Sequence, residues 1–220
     1  MKYRAAVFDL DGTLLNTLAD LTDSGNELLA SYGLPPHTEQ EYRYFVGNGS
    51  RKLMERILPG EPSQRIDEAL SRYKAIYERR LTAKSKPYDG ILNMLAALRK
   101  RGVKLAVCTN KHISAAEALI QTCFPTNLFD AFEGDKPGVP RKPDPAHVRI
   151  LLDKLGVASE ETVYLGDSGV DMQTARNAGT LSVGVLWGFR EKDELLENGA
   201  EVLLSHPSEL MEKVEFSDQK

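Results

Sequence analysis

The chain has 220 residues, 41% hydrophobic and 27% charged, the balance of an ordinary folded globular protein, which excludes a fibrous or largely disordered one. A formal net charge of −4 and an isoelectric point near 5.7 exclude the concentrated basic face that nucleic-acid binding needs, so any anionic ligand must be held by a local site. No run reaches the roughly 18 apolar residues of a membrane span, and the N-terminus enters a strand-like run without a signal-peptide pattern, so a cytoplasmic location and no membrane partner are expected.

In chain order, residues 4–9 open as a strand whose members Ala5, Ala6, Val7 and Phe8 are apolar at successive positions, as in a sheet covered on both faces. Between Thr13 and about Pro87 no strand is predicted and helical patterns follow one another. Leu14, Leu18, Leu21, Gly25, Leu28 and Tyr32 recur at steps of three and four, and Gly33 with Pro35-Pro36 stops that helix. Thr38 with Glu41 forms a capping box for a second helix. After Ser63, the stripe Ile66, Ala69, Leu70, Tyr73 and Tyr77 describes another helix running towards Lys84.

Beyond Pro87-Tyr88-Asp89-Gly90 the pattern alternates. Leu92, Leu95 and Leu98 share a helix face that Gly102 ends, and strands are predicted at 103–109, 129–133, 162–167, 181–186 and 201–204. Asp144-Pro145 reads as an N-cap with proline at the first helical position, and Gly156 closes that helix. Cys108 and Cys123 read as reduced packing residues, and residues 215–220 as a frayed tail. The expected fold is therefore α/β: a doubly wound parallel sheet, Rossmann-like, in two pieces (1–15 and 87–220), with an all-helical cap domain at 16–86 inserted between them.

The chemistry concentrates at strand ends. Asp9 and Asp11, in Val7-Phe8-Asp9-Leu10-Asp11-Gly12-Thr13, follow a buried strand, where paired negative charge is costly unless something positive meets it. An Asp-x-Asp alone is usually a turn or a cap, but the apolar strand before it weakens that reading here. Asp167 and Asp171, in Gly166-Asp167-Ser168-Gly169-Val170-Asp171, again follow an apolar strand, although either could instead cap the next helix. Because parallel strands end on one edge, these acids can converge there. Oxygen ligands without His or Cys suit Mg²⁺. Thr109-Asn110-Lys111 follows another strand, and Lys142 precedes a helix; alone they would be a cap and a surface charge, but beside the acids they become phosphate anchors. His37, His112, His147 and His206 show no site spacing, although His112 lies near Thr109.

The segments Asp-Leu-Asp-Gly-Thr, Cys-Thr-Asn-Lys, Lys-Pro-Asp-Pro and Gly-Asp-Ser-x-x-x-Asp, in this order, resemble the haloacid dehalogenase-like superfamily over nearly the whole chain. Gly47-Asn48-Gly49 and Trp187-Gly188-Phe189 resemble its phosphoglycolate phosphatase branch. The resemblance implies a phosphatase of a small phosphorylated metabolite, closed over by the helical cap. Asp9 would be the nucleophile and Asp11 the acid and base; Thr109, Asn110 and Lys142 would hold phosphate. Asp9, Asp167 and the Asp11 carbonyl would reach Mg²⁺, with Asp171 supporting the metal shell or orienting Lys142, and Gly47, Asn48 and Gly49 would bear on specificity. Asn16-Thr17 departs from the usual Asp-Ser, and Tyr88-Asp89-Gly90 from the common Pro-Gly.

A dehalogenase would need neither Asp11 nor Mg²⁺. A sugar-phosphate mutase or a pyrophosphatase would share the same core. A receiver-like signalling domain would place its phosphorylated Asp mid-chain in a shorter domain, whereas here the acceptor is residue 9. The assembly expected is a monomer or homodimer.

Overall fold

Successive apolar residues form central strands because both faces of the sheet are covered. The computed structural model describes residues 2–217. In chain order it contains β1 (Ala5–Phe8), β2 (Leu15–Asn16), α1 (Leu18–Ser31), α2 (Glu39–Phe45), α3 (Ser50–Ile57), α4 (Ser63–Arg80) and β3 (Lys86–Pro87). Then come α5 (Ile91–Lys100), β4 (Lys104–His112), α6 (Ile113–Cys123), β5 (Ala131–Asp135), α7 (Ala146–Leu155), β6 (Thr162–Gly166), α8 (Gly169–Ala178), β7 (Leu181–Val185), α9 (Lys192–Glu197) and β8 (Val202–Leu204). The six longer predicted strands form one sheet in the order β5-β4-β1-β6-β7-β8, with every neighbouring pair parallel.

Strand order reverses around β1: the chain leaves it for β4 and β5 on one side, then returns to β6, β7 and β8 on the other. Phe8 lies opposite both Val107 of β4 and Leu165 of β6, so β1 and β6 end at nearly one level, while β4 runs on to His112. That reversal opens a crevice at the carboxyl ends of β4, β1 and β6, where open parallel sheets bind ligands.

The segment between β2 and β3 is helical, as its periodicity predicts. The Thr38 hydroxyl and the Glu41 side chain cap α2 reciprocally. The described helix α1 starts four residues after Leu14, whose place in the predicted stripe lies in the preceding turn. α3 carries only Leu53, Met54 and Ile57 inward, too short a stripe to stand out in the sequence. Contrary to expectation, this interval is bounded by strands: β2 and β3 pair antiparallel, Leu15 opposite Pro87 and Asn16 opposite Lys86. Two residues are too few for alternation to register. Asp20, buried on α1, ties the same junction by accepting the amides of Lys84 and Ser85 and the Ser85 hydroxyl.

The tail reading is corrected for the described part. Tyr3 bonds to Glu215 and Ser217 through the backbone, and Phe216 is buried against the Tyr3 ring. Residues 218–220 lie outside the described residues. Cys108 and Cys123 are free, and among the described residues no helix is long and apolar enough to cross a membrane.

Gly25 lies inside α1, where alanine would ordinarily favour the helix by about 1 kcal/mol. A Cβ there would collide with the Tyr42 hydroxyl. The clash should outweigh propensity, so Gly25→Ala is expected to destabilise by about 1–3 kcal/mol in urea unfolding, with Tyr42→Phe recovering part of the loss.

Candidate active site

Asp9 is the first residue beyond β1, and its amide donates to the Leu165 carbonyl of β6, 2.9 Å away, which continues the sheet to that point. The chain then turns at Gly12, where φ is +88° and a Cβ would strike the Asp167 carboxylate, so only glycine lets the loop pass so close. Asp167 follows β6 and accepts from the Phe189 amide at 2.7 Å and the Thr13 hydroxyl at 3.4 Å. Ser168 caps α8 in a box with Asp171, so the suspected capping role is real for Asp171.

That same Asp171 serves the crevice. Its Oδ2 accepts from the Ser168 hydroxyl and amide, while Oδ1 accepts from Lys142 Nζ at 2.7 Å and the Tyr164 hydroxyl at 3.2 Å. Lys142, almost wholly buried, also donates to the Cys108 carbonyl and lies 2.8 Å from Asp9 Oδ1. This last contact is an ion pair without hydrogen-bond alignment, which leaves Asp9 Oδ1 buried with no donated hydrogen bond.

One oxygen from each of Asp9, Asp167 and Asp171 lies within 4.8 Å of the others. Among the described residues, Lys142 thus pairs with two of three clustered buried carboxylates, Asp9 and Asp171. Burial, with the Asp171 charge beside it, pushes the Asp9 carboxyl up to about 7 against the pull of Lys142. Burial and the neighbouring Asp171 and Asp9 charges also drive Asp167 well above the carboxylate range. Burial works against the charge on Lys142, but Asp171 and Asp9 outweigh it and hold its pKa above the usual lysine value. A donor set made only of carboxylate oxygens, short of positive charge and with one oxygen lacking a hydrogen bond, fits a hard divalent cation. Asp171 is the weakest ligand of the three because both of its oxygens are already engaged.

Asp11 stands apart from this cluster. Its Oδ1 accepts from the Thr17 hydroxyl at 2.6 Å and pairs with Lys111 Nζ at 3.0 Å. Asp9 and Asp11 open onto a chamber of about 140 Å³ between the sheet edge and the helical segment. Thr109, Asn110 and Lys111 all line it, although successive residues of a regular strand point to opposite faces. The break in β4–β5 register between Cys108 and His112 makes this possible, because an irregular stretch re-aims side chains.

The sequence-level candidates divide in the structure. Thr109 is buried at the chamber wall. The Asn110 side chain is taken up in donating to the Gly47 and Lys142 carbonyls and accepting the Lys142 amide, so it acts as a bracket rather than a free phosphate donor. Gly47 and Gly49 line the chamber, whereas Asn48 accepts from Arg56, and His112 is an exposed wall residue.

Arg190 and Arg43 escape sequence reasoning, and the contacts of Trp187 and Lys111 were not legible in it. Arg190 reaches from the loop after β7 to the carbonyls of Arg43, Tyr44 and Val46 at the end of α2, and Arg43 returns a bond to the Gly188 carbonyl at 2.9 Å. The Trp187 indole donates to the Thr13 carbonyl. Lys111 also donates to the Tyr77 hydroxyl at 2.9 Å. The only available signal was the run Trp187-Gly188-Phe189-Arg190 directly after a strand end.

Comparison with known proteins agrees with this geometry. The chain is 36% identical over 190 residues to a phosphoglycolate phosphatase of Agrobacterium fabrum, covering 84% of this chain and 82% of that one. It is 30% identical over 214 residues to an N-acetylmuramic acid 6-phosphate phosphatase of Pseudomonas aeruginosa, covering 96% and 95%. A crystal structure of a candidate phosphoglycolate phosphatase from Lactobacillus delbrueckii subsp. bulgaricus superposes with a TM-score of 0.91 at 35% identity, covering 96% and 98%. The haloacid dehalogenase-like hydrolase family model matches residues 6–185, and with the acids at two strand ends and the buried lysine among them, the chain belongs to that family.

Proposed function

We propose that this chain is a Mg²⁺-dependent phosphatase of small phosphate monoesters, with 2-phosphoglycolate favoured, working through a phosphoryl-aspartate on Asp9. The observation that carries the reading is the gathering of Asp9, Asp167 and Asp171 around Lys142 beside a chamber that also exposes Asp11. Relatives that act as phosphatases over most of the chain support the reaction class.

A phosphate monoester is close to a dianion, so an anionic attacker needs cations beside it. Asp9 and Asp167, with the Asp11 carbonyl, would hold Mg²⁺, which when bound neutralises charge on the phosphoryl oxygens. Lys142 adds a fixed ammonium on the Asp9 side, and Thr109 offers its hydroxyl to the same oxygens.

A carboxylate oxygen of Asp9 attacks phosphorus in line, a new P–O bond forms, and the ester P–O bond breaks. Asp11 gives its proton to the departing alkoxide. Water then attacks the phosphoryl-aspartate and returns a proton to Asp11, and the breaking Asp9–phosphorus bond restores the carboxylate and releases phosphate. Thr17 and Lys111 hold the Asp11 side chain where it meets the chamber. The helical segment 16–86, read as a cap, excludes bulk water through the Asn110 and Arg190 contacts to its 43–47 stretch.

Three outcomes are expected. Asp9→Asn should lower phosphatase turnover by at least about 10⁴-fold, the scale seen when a nucleophile is lost, while circular dichroism and melting remain those of a folded protein. Steady hydrolysis by that variant would remove Asp9 from the role. Chelation with EDTA should abolish turnover and lower the melting midpoint, with Mg²⁺ restoring both; full activity in excess chelator would refute the metal.

The third outcome concerns pH. In chelated protein the folded Asp9 pKa, about 7, lies above its unfolded value, so the native state binds the extra proton between about pH 4 and 7. Its contribution to stability is whole below about pH 4 and is lost as pH rises through 7. Melts in EDTA should therefore show a decline over that window that Asp9→Asn flattens, and the stabilisation by Mg²⁺ should grow with pH.

A further inference from the structure

The last carbonyls of a helix have no partner within it. At the end of α2, Arg56 of α3 donates to the carbonyls of Tyr44 and Phe45. The carbonyls of Arg43, Tyr44 and Val46 are met from outside the helical segment, by Arg190 of the loop after β7. Arg190 is 9% exposed, and its guanidinium lies 5.4 Å from the centre of the Tyr44 ring. Arg43 closes the seam from the other side by donating to the Gly188 carbonyl.

The same loop lies flush against Asp167. A Cβ on Gly188 would strike the Asp167 side chain, the Phe189 amide donates to Asp167 Oδ2 at 2.7 Å, and the Trp187 indole ties the loop to the Thr13 carbonyl. Glu194 of α9 adds a second path: its Oε2 pairs with Arg190 Nε at 3.3 Å, and its Oε1 accepts the amide of Gly169, just beyond Asp167 in the chain. Burial and the neighbouring acids drive the Asp167 pKa upward, and the Phe189 amide and the Arg190 charge oppose them. Asp167 is therefore held by a loop whose other edge is bonded to α2.

We propose that Arg190 is a positioning residue that couples the seating of α2 to cation binding at Asp167. With α2 seated, the 188–190 stretch is pressed against Asp167 and the Phe189 amide fixes its carboxylate; with α2 released, the loop loses that hold and cation affinity falls. Such coupling is reciprocal, so a cation at Asp167 also steadies the end of α2. This rests on the Mg²⁺ reading of the site and extends it to a residue outside both the acid cluster and the chamber lining. The sign of the effect is diagnostic. The Arg190 charge by itself repels a cation, so electrostatics alone would tighten Mg²⁺ binding when that charge is removed, whereas coupling weakens it.

The test compares the native chain with Arg190→Gln, which removes the charge, and Arg190→Lys, which keeps it but cannot span three carbonyls. Mg²⁺ affinity is taken from the dependence of the melting midpoint on Mg²⁺ concentration, and amide hydrogen exchange is followed across residues 39–49 with and without Mg²⁺. Both variants should bind Mg²⁺ about 5-fold more weakly or worse, the lower end of the usual coupling between sites. Mg²⁺ should slow exchange over 39–49 in the native chain, and both variants should lose most of that slowing. If Arg190→Gln does not fold, Arg190→Lys decides the matter by the same two readouts. A purely structural role would lower the midpoint equally in EDTA and at every Mg²⁺ concentration; that result would overturn the inference, as would native or tighter Mg²⁺ binding in the variants or equal slowing of exchange in all the chains. A native chain that binds no Mg²⁺ would sink the metal reading along with it, whereas Mg²⁺ binding as expected without hydrolysis of any phosphate ester would count against the phosphatase reading and leave the coupling in place.

Discussion

A single ammonium stands among three buried carboxylates, and the rest of the crevice is arranged to hold it there. Lys142 touches Asp9 at 2.8 Å and Asp171 at 2.7 Å, with Asp167 completing the cluster. Charges removed from water are tolerated only when paired and hydrogen-bonded. Asp171 meets that condition through Ser168, Tyr164 and Lys142, whereas Asp9 and Asp167 remain short of positive charge. The deficit is what suits the crevice to a divalent cation, whose charge offsets what the protein leaves unbalanced.

The lysine is placed by groups that bind no substrate themselves. Asn110 brackets the Lys142 backbone with one face of its amide and the Gly47 carbonyl with the other. On the opposite side, the loop after β7 grips Asp167 through the Phe189 amide, and its next residue, Arg190, holds the carbonyl end of α2. A guanidinium there also meets the negative end of the helix dipole. The helical segment is thus anchored to the sheet edge by residues adjoining those that hold the acids. A shift of that segment changes the chamber and the surroundings of the acids together.

The chamber lining mixes apolar residues, Leu21, Val46 and Leu53 among them, with polar ones such as Ser50, Lys74 and Glu78. Asp11 stands at its wall, held by Thr17 and Lys111, where the proposed mechanism would pass a proton to a leaving oxygen. Phosphoryl transfer asks the protein mainly for positioning and electrostatics.

That Ser168 caps α8 came from the structure, but the amino-acid sequence by itself determined the six parallel strands, the helical interval, the cap at Thr38 and the acids at strand ends. Each is written in neighbouring residues: an apolar run, a hydroxyl three residues before an acid, an Asp directly after a strand. It also determined that the acids converge, because parallel strands end on one edge. Tertiary structure alone decided what is made from residues far apart. The Asn110 side chain bonds to Gly47 across 63 residues and Arg190 reaches Val46 across 144, and no local pattern encodes such distances. The two-residue strands β2 and β3 exist only because their partners meet, and Tyr73, an ordinary stripe residue by periodicity, lacks a partner only because of how α4 packs. Periodicity records which face of an element is buried, but what a buried polar atom meets depends on the packed neighbours that the whole fold brings to it.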